Sequence, residues 1–213
     1  MIPSLTPQVL VSAYASGIFP MAEHRADTDV FWVDPRKRGI LPLHGFHISR
    51  SLRKTLRSQK FMITFNEDFQ GVVEGCADRA ETWINDMLVS LYQQLHANHL
   101  AHSIEVWEED TLVGGVFGIA LGGAFFGESM FSTRTDASKV ALAYLVDRLN
   151  AGGFTLFDTQ FITPHLASLG GIEITRASYR QMLKKALNIN AVFIAAPDGS
   201  DGQPLLQRNA QTS

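Results

Sequence analysis

The sequence predicts an α/β (α+β) domain, and three observations carry that prediction. Ser103 to Trp107 and Leu112 to Ala120 are apolar runs joined by the polar turn Glu108-Glu109-Asp110, the pattern of a β-hairpin. Ala137, Val140, Ala141, Tyr144, Leu145 and Leu149 then recur at helical spacing. A further apolar strand, Phe154 to Phe161, follows that helix, so a helix crosses from one strand to a neighbour.

The remaining elements follow in chain order. Thr6-Pro7 opens a helix, Thr6 as its cap and Pro7 in its first turn. Val9, Leu10, Ala13 and Tyr14 form its apolar face, and Gly17 ends it. Gly17 to Met21 is apolar but too short for a helix. Phe31-Trp32-Val33-Asp34-Pro35-Arg36 reads as a fixed loop. The plain reading of this region is a hydrophobic arm covering the main domain; the sharper one is an aromatic wall facing a ligand. In Ser49 to Lys60 the cations Arg50, Arg53, Lys54 and Arg57 share one helical face, and Leu52 and Leu56 share another. That basic face is either a solvated surface or a phosphate-binding stripe.

Phe61 to Phe65 reads as a strand, and Phe69, Val72, Val73 and Cys76 as one face of a short helix. Trp83 lies in a loop and is either core or a stacking platform. Met87, Leu88, Leu91, Tyr92 and Leu95 make an amphipathic helix. Gly122-Gly123 turns the chain into Ala124 to Glu128, and Asp136 is placed to cap the long helix that Gly152-Gly153 stops. Asp158 and Gln160 are two apart and share a face on a regular strand. A short helix from Thr163, a strand near Ile174 and a helix from Ser178 to Leu187 complete the order, with a polar tail from about residue 197.

Composition removes several function classes. A net charge of -3 rules out a general polycation, so any nucleic-acid contact must be local. A single cysteine, Cys76, excludes a disulfide framework and a multi-cysteine zinc site. Neither a membrane span of ~18 apolar residues nor the charged start of a signal peptide is visible, so a cytoplasmic protein is expected. His96, His99 and His102 invite a metal reading, but the last lies past the helix end and no acid or thiol completes the set.

The chemistry concentrates on Glu128 and Asp158, two acids in strand-like surroundings where a solvated carboxylate is not expected. Gly127-Glu128-Ser129-Met130 resembles a nucleophile elbow but has Phe131 where the second Gly belongs, which weakens a serine-hydrolase reading. The other reading is direct acyl transfer. A carboxylate and the amide of Gln160 would orient and deprotonate an incoming amine. Val116, Phe125, Met130, Leu142 and Leu145 would shape an apolar donor pocket, although periodicity alone makes most of them ordinary core.

Several ordered motifs resemble one family. They are Gly17-Ile18-Phe19-Pro20, His47-Ile48-Ser49-Arg50-Ser51, Glu74-Gly75-Cys76, Trp83-Ile84, His102 to Trp107, Leu112-Val113-Gly114-Gly115, Gly127 to Ser132, Ala137-Ser138-Lys139 and Asp158-Thr159-Gln160. Over roughly residues 9 to 185 the chain resembles leucyl/phenylalanyl-tRNA–protein transferase. The resemblance implies a small N-terminal domain (1–36) and a GNAT-like acyltransferase domain (37–213). It implies that no metal is used; no other cofactor and a monomer are expected. The reaction implied moves Leu or Phe, with Met a further candidate, from aminoacyl-tRNA to proteins beginning with Arg or Lys, and so marks them for degradation.

Residue by residue, the resemblance implies that Asp158 polarises Gln160, which draws a proton from the attacking amine, and that Glu128 lies at the acceptor side. It maps the donor side-chain pocket onto Val116, Phe125, Ser132, Leu142, Leu145 and Leu149. It places the terminal adenosine at Trp83 and Met21, the latter standing where the family usually has Trp. It assigns tRNA binding to Arg50, Arg53, Lys54 and Arg57. Two competing readings are a non-catalytic aminoacyl-tRNA or N-terminus binding protein and an acetyl-CoA-dependent acetyltransferase. The second lacks a pyrophosphate-binding glycine turn between Met130 and Ala137.

Overall fold

Local signals place most helices. The computed structural model describes residues 5–27, 29–79 and 82–193. Helix α1 (Pro7–Ala15) is capped by the Thr6 hydroxyl, which accepts from the Val9 N–H, and Gly17 leaves it with φ +84°. Ser49 caps α2 (Arg50–Arg57), Asp68 caps α3 (Phe69–Ala77) and Asn85 caps α4 (Asp86–Ala97). Helix α5 (Ala137–Ala151) does not use the expected cap. Asp136 has φ +67°, which swings its carboxylate away from the first-turn N–H groups to Lys139 Nζ at 2.8 Å and Thr55 Oγ1 at 3.1 Å. Helices α6 (Pro164–Ser168) and α7 (Arg176–Ala186) follow, capped by Thr163 and Thr175.

The strands assemble into two sheets. Strands β1 (Phe19–Met21) and β2 (Phe31–Val33) form a small antiparallel pair, where the sequence suggested only apolar loop. Three residues are too few to show alternation, so only tertiary pairing reveals them. A turn of 3-10 helix at Leu43–Gly45 follows the next strand. The main sheet contains β3 (Lys37–Ile40), β4 (Met62–Phe65), β5 (Ala101–Glu108), β6 (Thr111–Leu121), β7 (Ala124–Ser132), β8 (Leu156–Gln160) and β9 (Ile172–Thr175). Its order is β4-β5-β6-β7-β8-β3-β9, and the β7–β8 pair alone is parallel. A parallel pair needs a crossover, and α5 supplies it.

Helices cover both faces of this sheet. Leu52 and Leu56 of α2 and the buried row Val140, Leu142, Leu145 and Leu149 of α5 join one apolar cluster. The other contains Leu10 and Tyr14 of α1, Val72 and Val73 of α3, Leu88 and Tyr92 of α4 and Tyr179 of α7. Gly114 and Gly115 let both layers approach β6: an added Cβ would meet Ala137 Cβ at 2.7 Å from one face and Val72 Cγ2 at 2.8 Å from the other. Among the described residues, no helix is long and apolar enough to cross a membrane. The expected polar tail from about residue 197 lies outside the described residues.

Candidate active site

The site is built at the end of β8, where the strand breaks. Asp158 is fully buried, and four donors converge on its carboxylate. Arg38 Nε and Nη2 donate at 2.9 and 2.7 Å, Tyr179 Oη at 2.6 Å and the Gln160 backbone N–H at 2.9 Å. Arg38 is itself 1% exposed, donates to the Gly17 carbonyl at 3.1 Å and lies between two rings. Its guanidinium carbon is 4.6 Å from the centre of Phe19 and 4.4 Å from that of Tyr179. A bidentate pair whose guanidinium donates further, to the Gly17 carbonyl and the Tyr179 hydroxyl, is the form in which a buried ion pair is tolerable.

Asp158 thereby shapes the chain beyond it. Gln160 has φ +56°, and the pairing of β3 with β8 shifts register there. The strand is therefore not regular at Gln160. The Asp158 carboxylate holds the main-chain N–H of Gln160, not its side-chain amide. That amide donates instead to Glu128 Oε1 at 3.2 Å, across from β7. The expected polarisation of the Gln160 amide by Asp158 is corrected accordingly: the amide's partner is Glu128.

Glu128 is the acid that faces the cavity. Tyr92 Oη donates to its Oε2 at 2.7 Å. Burial pushes its carboxyl up to about 7, against the pull of the Tyr92 and Tyr14 hydroxyls; nearby Asp158 raises it further and Arg38 lowers it. Burial and the same carboxylate hold the Tyr14 and Tyr92 hydroxyls well above their ordinary range. Tyr14 Oη is buried close to this pair without a hydrogen bond of ordinary geometry. An acid that titrates near neutrality at the floor of a cleft can take and return a proton at working pH.

The cavity has a volume of about 250 Å³. Glu128 and Gln160 line it together with an apolar wall of Val116, Met130, Leu142, Phe157 and Leu166, and with Trp83 and Phe161. Of the residues assigned to the donor pocket, Val116 and Leu142 reach it. Phe125, Leu145 and Leu149 do not line it; they are buried at 0%, 1% and 0% in the core. Ser132 lines a neighbouring cavity with Arg79, Thr163 and His165. Met21 is half-buried in β1 and does not line the cavity, whereas Trp83 does.

Away from the cavity, α2 exposes Arg50, Lys54 and Arg57 and half-exposes Arg53. Among the described residues, no ion pair engages any of the four. Cys76 is core, its thiol pushed up to about 12 by burial. His96 and His102 are spent on structure, and His99 is exposed. His96 Nδ1 lies 2.8 Å from the Ala101 carbonyl, and His102, lowered to about 4 by burial, lies 3.2 Å from Asn66 Nδ2. Among the described residues, no group of three His, Cys, Asp or Glu could hold a metal.

Sequence reasoning missed Arg38, Tyr92 and Tyr179 as parts of the site. Arg38 stands in a run, Arg36-Lys37-Arg38, that reads as a solvated turn. The tyrosines did leave a signal. A tyrosine on the buried face of a helix needs a partner for its hydroxyl, and the two buried carboxylates are the natural acceptors.

Known proteins match this arrangement along most of the chain. The leucyl/phenylalanyl-tRNA protein transferase family matches residues 40–184, and the N-terminal domain described for the same proteins matches residues 4–36. A leucyl/phenylalanyl-tRNA–protein transferase of a Ruegeria species is 64% identical, covering 99% of this chain and all of that protein. One from Cereibacter sphaeroides is 62% identical over 99% of both. Among solved structures, a GCN5-related N-acetyltransferase-like protein of Streptococcus suis overlays loosely, with TM-score 0.34 and 14% identity over 65% of this chain and 60% of that one. With both family regions matched in order and relatives of this identity over nearly the whole length, the chain belongs to the leucyl/phenylalanyl-tRNA–protein transferase family.

Proposed function

We propose that the protein transfers Leu or Phe from aminoacyl-tRNA to the free N-terminus of proteins beginning with Arg or Lys, marking them for degradation. The observation that carries this reading is a near-neutral Glu128, hydrogen-bonded by Tyr92 and Gln160, on the floor of an apolar cavity. The α-ammonium of the acceptor is drawn to the Glu128 carboxylate. Proton transfer converts that charge pair into a neutral amine and a neutral acid, which are far cheaper to hold out of water. The amine nitrogen then attacks the ester carbonyl of the aminoacyl group. A C–N bond forms, the C–O bond to the ribose breaks, and the proton on Glu128 goes to the departing ribose oxygen; the carboxylate so freed takes the surplus proton of the attacking nitrogen, leaving the amide N–H, and releases it to solvent. The ester is already activated, so the transfer needs no cofactor.

The other assignments follow from position. Gln160 orients Glu128, while Asp158, its lone pairs filled, acts as a positioning residue that fixes the Gln160 turn. Val116, Met130, Leu142, Phe157 and Leu166 receive the donor side chain. Such a wall rejects charged side chains but separates apolar ones by only ~1–3 kcal/mol per methylene, which suits a dual Leu and Phe donor range. Trp83 stacks on the terminal adenosine, and Arg50, Arg53, Lys54 and Arg57 hold the tRNA phosphates. The cavity is lined within one chain, which supports action as a monomer, and a charged-tRNA substrate is in keeping with a cytoplasmic protein.

The test is transfer of labelled Leu and Phe from charged tRNA to two peptides beginning with Arg, one free and one acetylated. Label on the free peptide alone is expected. Tight binding of charged tRNA with no transfer to either peptide would overturn the catalytic reading in favour of a binding protein.

A further inference from the structure

Phe161 is the one exposed aromatic ring that lines the cavity: it is 46% exposed, whereas Phe157 is buried and Trp83 half-buried. A single exposed apolar side chain is ordinary on a protein surface. The backbone that presents this one is not. Gln160, immediately before it, holds φ +56°, a conformation that costs a non-glycine residue energy and persists only where its surroundings enforce it. The Phe161 N–H turns back to the Thr159 carbonyl at 2.6 Å, so the chain leaves the β8 direction at this point.

The ring is also buttressed. It meets Phe19 edge to face, with centroids 5.7 Å apart and planes at 81°. Phe19 is buried and lies against the Arg38 guanidinium, which is paired with Asp158. One connected set of contacts therefore runs from the ion pair through Phe19 to Phe161. Ordinary packing gives no reason to hold an exposed phenyl so firmly over a cavity.

We propose that Phe161 is a nucleobase-stacking residue which, with Trp83, receives the terminal adenine of the aminoacyl-tRNA at the mouth of the cavity. This inference rests on the transferase reading. The floor is taken by the acid and amide, the inner wall is apolar and suits the donor side chain, and the acceptor brings a cation that belongs near Glu128. Beyond the donor side chain, the remaining flat, uncharged part of the substrate is the base, and base–aromatic stacking is the contact an exposed phenyl offers it. Phe161 touches no reacting atom in this scheme and contributes to holding the 3′ end of the donor in the site.

The test compares two unreactive donor analogues as competitive inhibitors: phenylalanine amide-linked to 3′-amino-3′-deoxyadenosine, and the same compound with no base on the ribose. Phe161→Ala is expected to weaken the adenosine analogue at least tenfold and to leave the abasic one within about twofold. Phe161→Trp restores binding. In transfer assays the loss falls on KM for charged tRNA and not on kcat. Equal weakening of both analogues, or a shift in KM for the acceptor peptide instead, overturns the assignment. If the wild-type protein transfers amino acid and Phe161→Ala binds both analogues normally, this inference alone fails. A wild-type protein that binds neither analogue overturns the transferase reading with it.

Discussion

Glu128 and Asp158 are both buried acids, and their environments give them opposite work. Asp158 meets a guanidinium and two further donors and has no free lone pair. Glu128 meets two neutral donors and an open cavity, and burial raises its carboxyl to about 7 from an ordinary 4.5. The rate constant kcat/KM is therefore expected to rise with pH through about 7. The acceptor amine, ordinarily near 7.7–8.0, adds a second limb. Glu128→Gln should cost at least 100-fold in kcat, in the range of a lost general base, and leave the amine's limb alone. A variant that keeps both limbs and its rate would remove Glu128 from the proton path. The stability consequence has the reverse sign of a salt-bridged acid. The folded state holds the Glu128 proton up to about pH 7, and the unfolded chain loses it near 4.5. Stability contributed by this site therefore falls as pH rises between those values. Glu128→Gln should unfold like wild type at pH 4 and be more stable at pH 8, by about 3 kcal/mol. Denaturant unfolding at the two pH values checks it, and equal stabilities at pH 8 would contradict the raised carboxyl.

At the scale of elements, the site depends on how β3 meets β8. Gly39 pairs with Gln160, and a Cβ added at Gly39 would fall 2.5 Å from the Phe161 carbonyl carbon and 2.7 Å from the Ile162 nitrogen. Those atoms are backbone and cannot rotate aside. Gly39→Ala should cost about 1–3 kcal/mol, as overpacking does, while transfer falls further than the lost stability accounts for. Activity that tracks stability alone would mean the Gln160 turn tolerates displacement. Arg38 is the other tie between these strands. Arg38→Met strands a buried carboxylate and should cost about 3–5 kcal/mol, with partial recovery in Arg38→Met/Asp158→Asn. None of this was legible locally. The helices α1, α2 and α5 and the β5–β6 hairpin were readable because their apolar spacing and turn residues lie within one window of sequence. Strands β1 to β3 have three or four residues each, and what makes them strands is a partner elsewhere in the chain. The motif Asp158-Thr159-Gln160 falls where β8 ends, but implied a regular strand there. The left-handed turn at Gln160 is accompanied by a bond from its N–H to Asp158, whose carboxylate is held by Arg38, 120 residues away, and by Tyr179.

At the scale of the molecule, the charge is divided unevenly. The chain carries a net charge of -3, yet α2 presents four cations that no ion pair among the described residues offsets. A weakly anionic body repels a polyanion at long range, so tRNA approach must be favoured on a face that reverses the sign, as α2 does. Phosphate contacts made there carry no sequence information and release counterions. The double substitution Arg53→Gln/Lys54→Gln should therefore weaken Leu-tRNA and Phe-tRNA to the same extent. Each lost contact flattens the dependence of log K on log salt by roughly 0.7–0.9, so the slope should become shallower by roughly 1.4–1.8. Titration of both charged tRNAs at several salt concentrations reads the two quantities together. Unequal weakening would mean that these side chains read something other than phosphate. An unchanged slope would move tRNA docking away from α2, towards the other exposed basic helix, α7, where Lys184 and Lys185 lie beside Arg180.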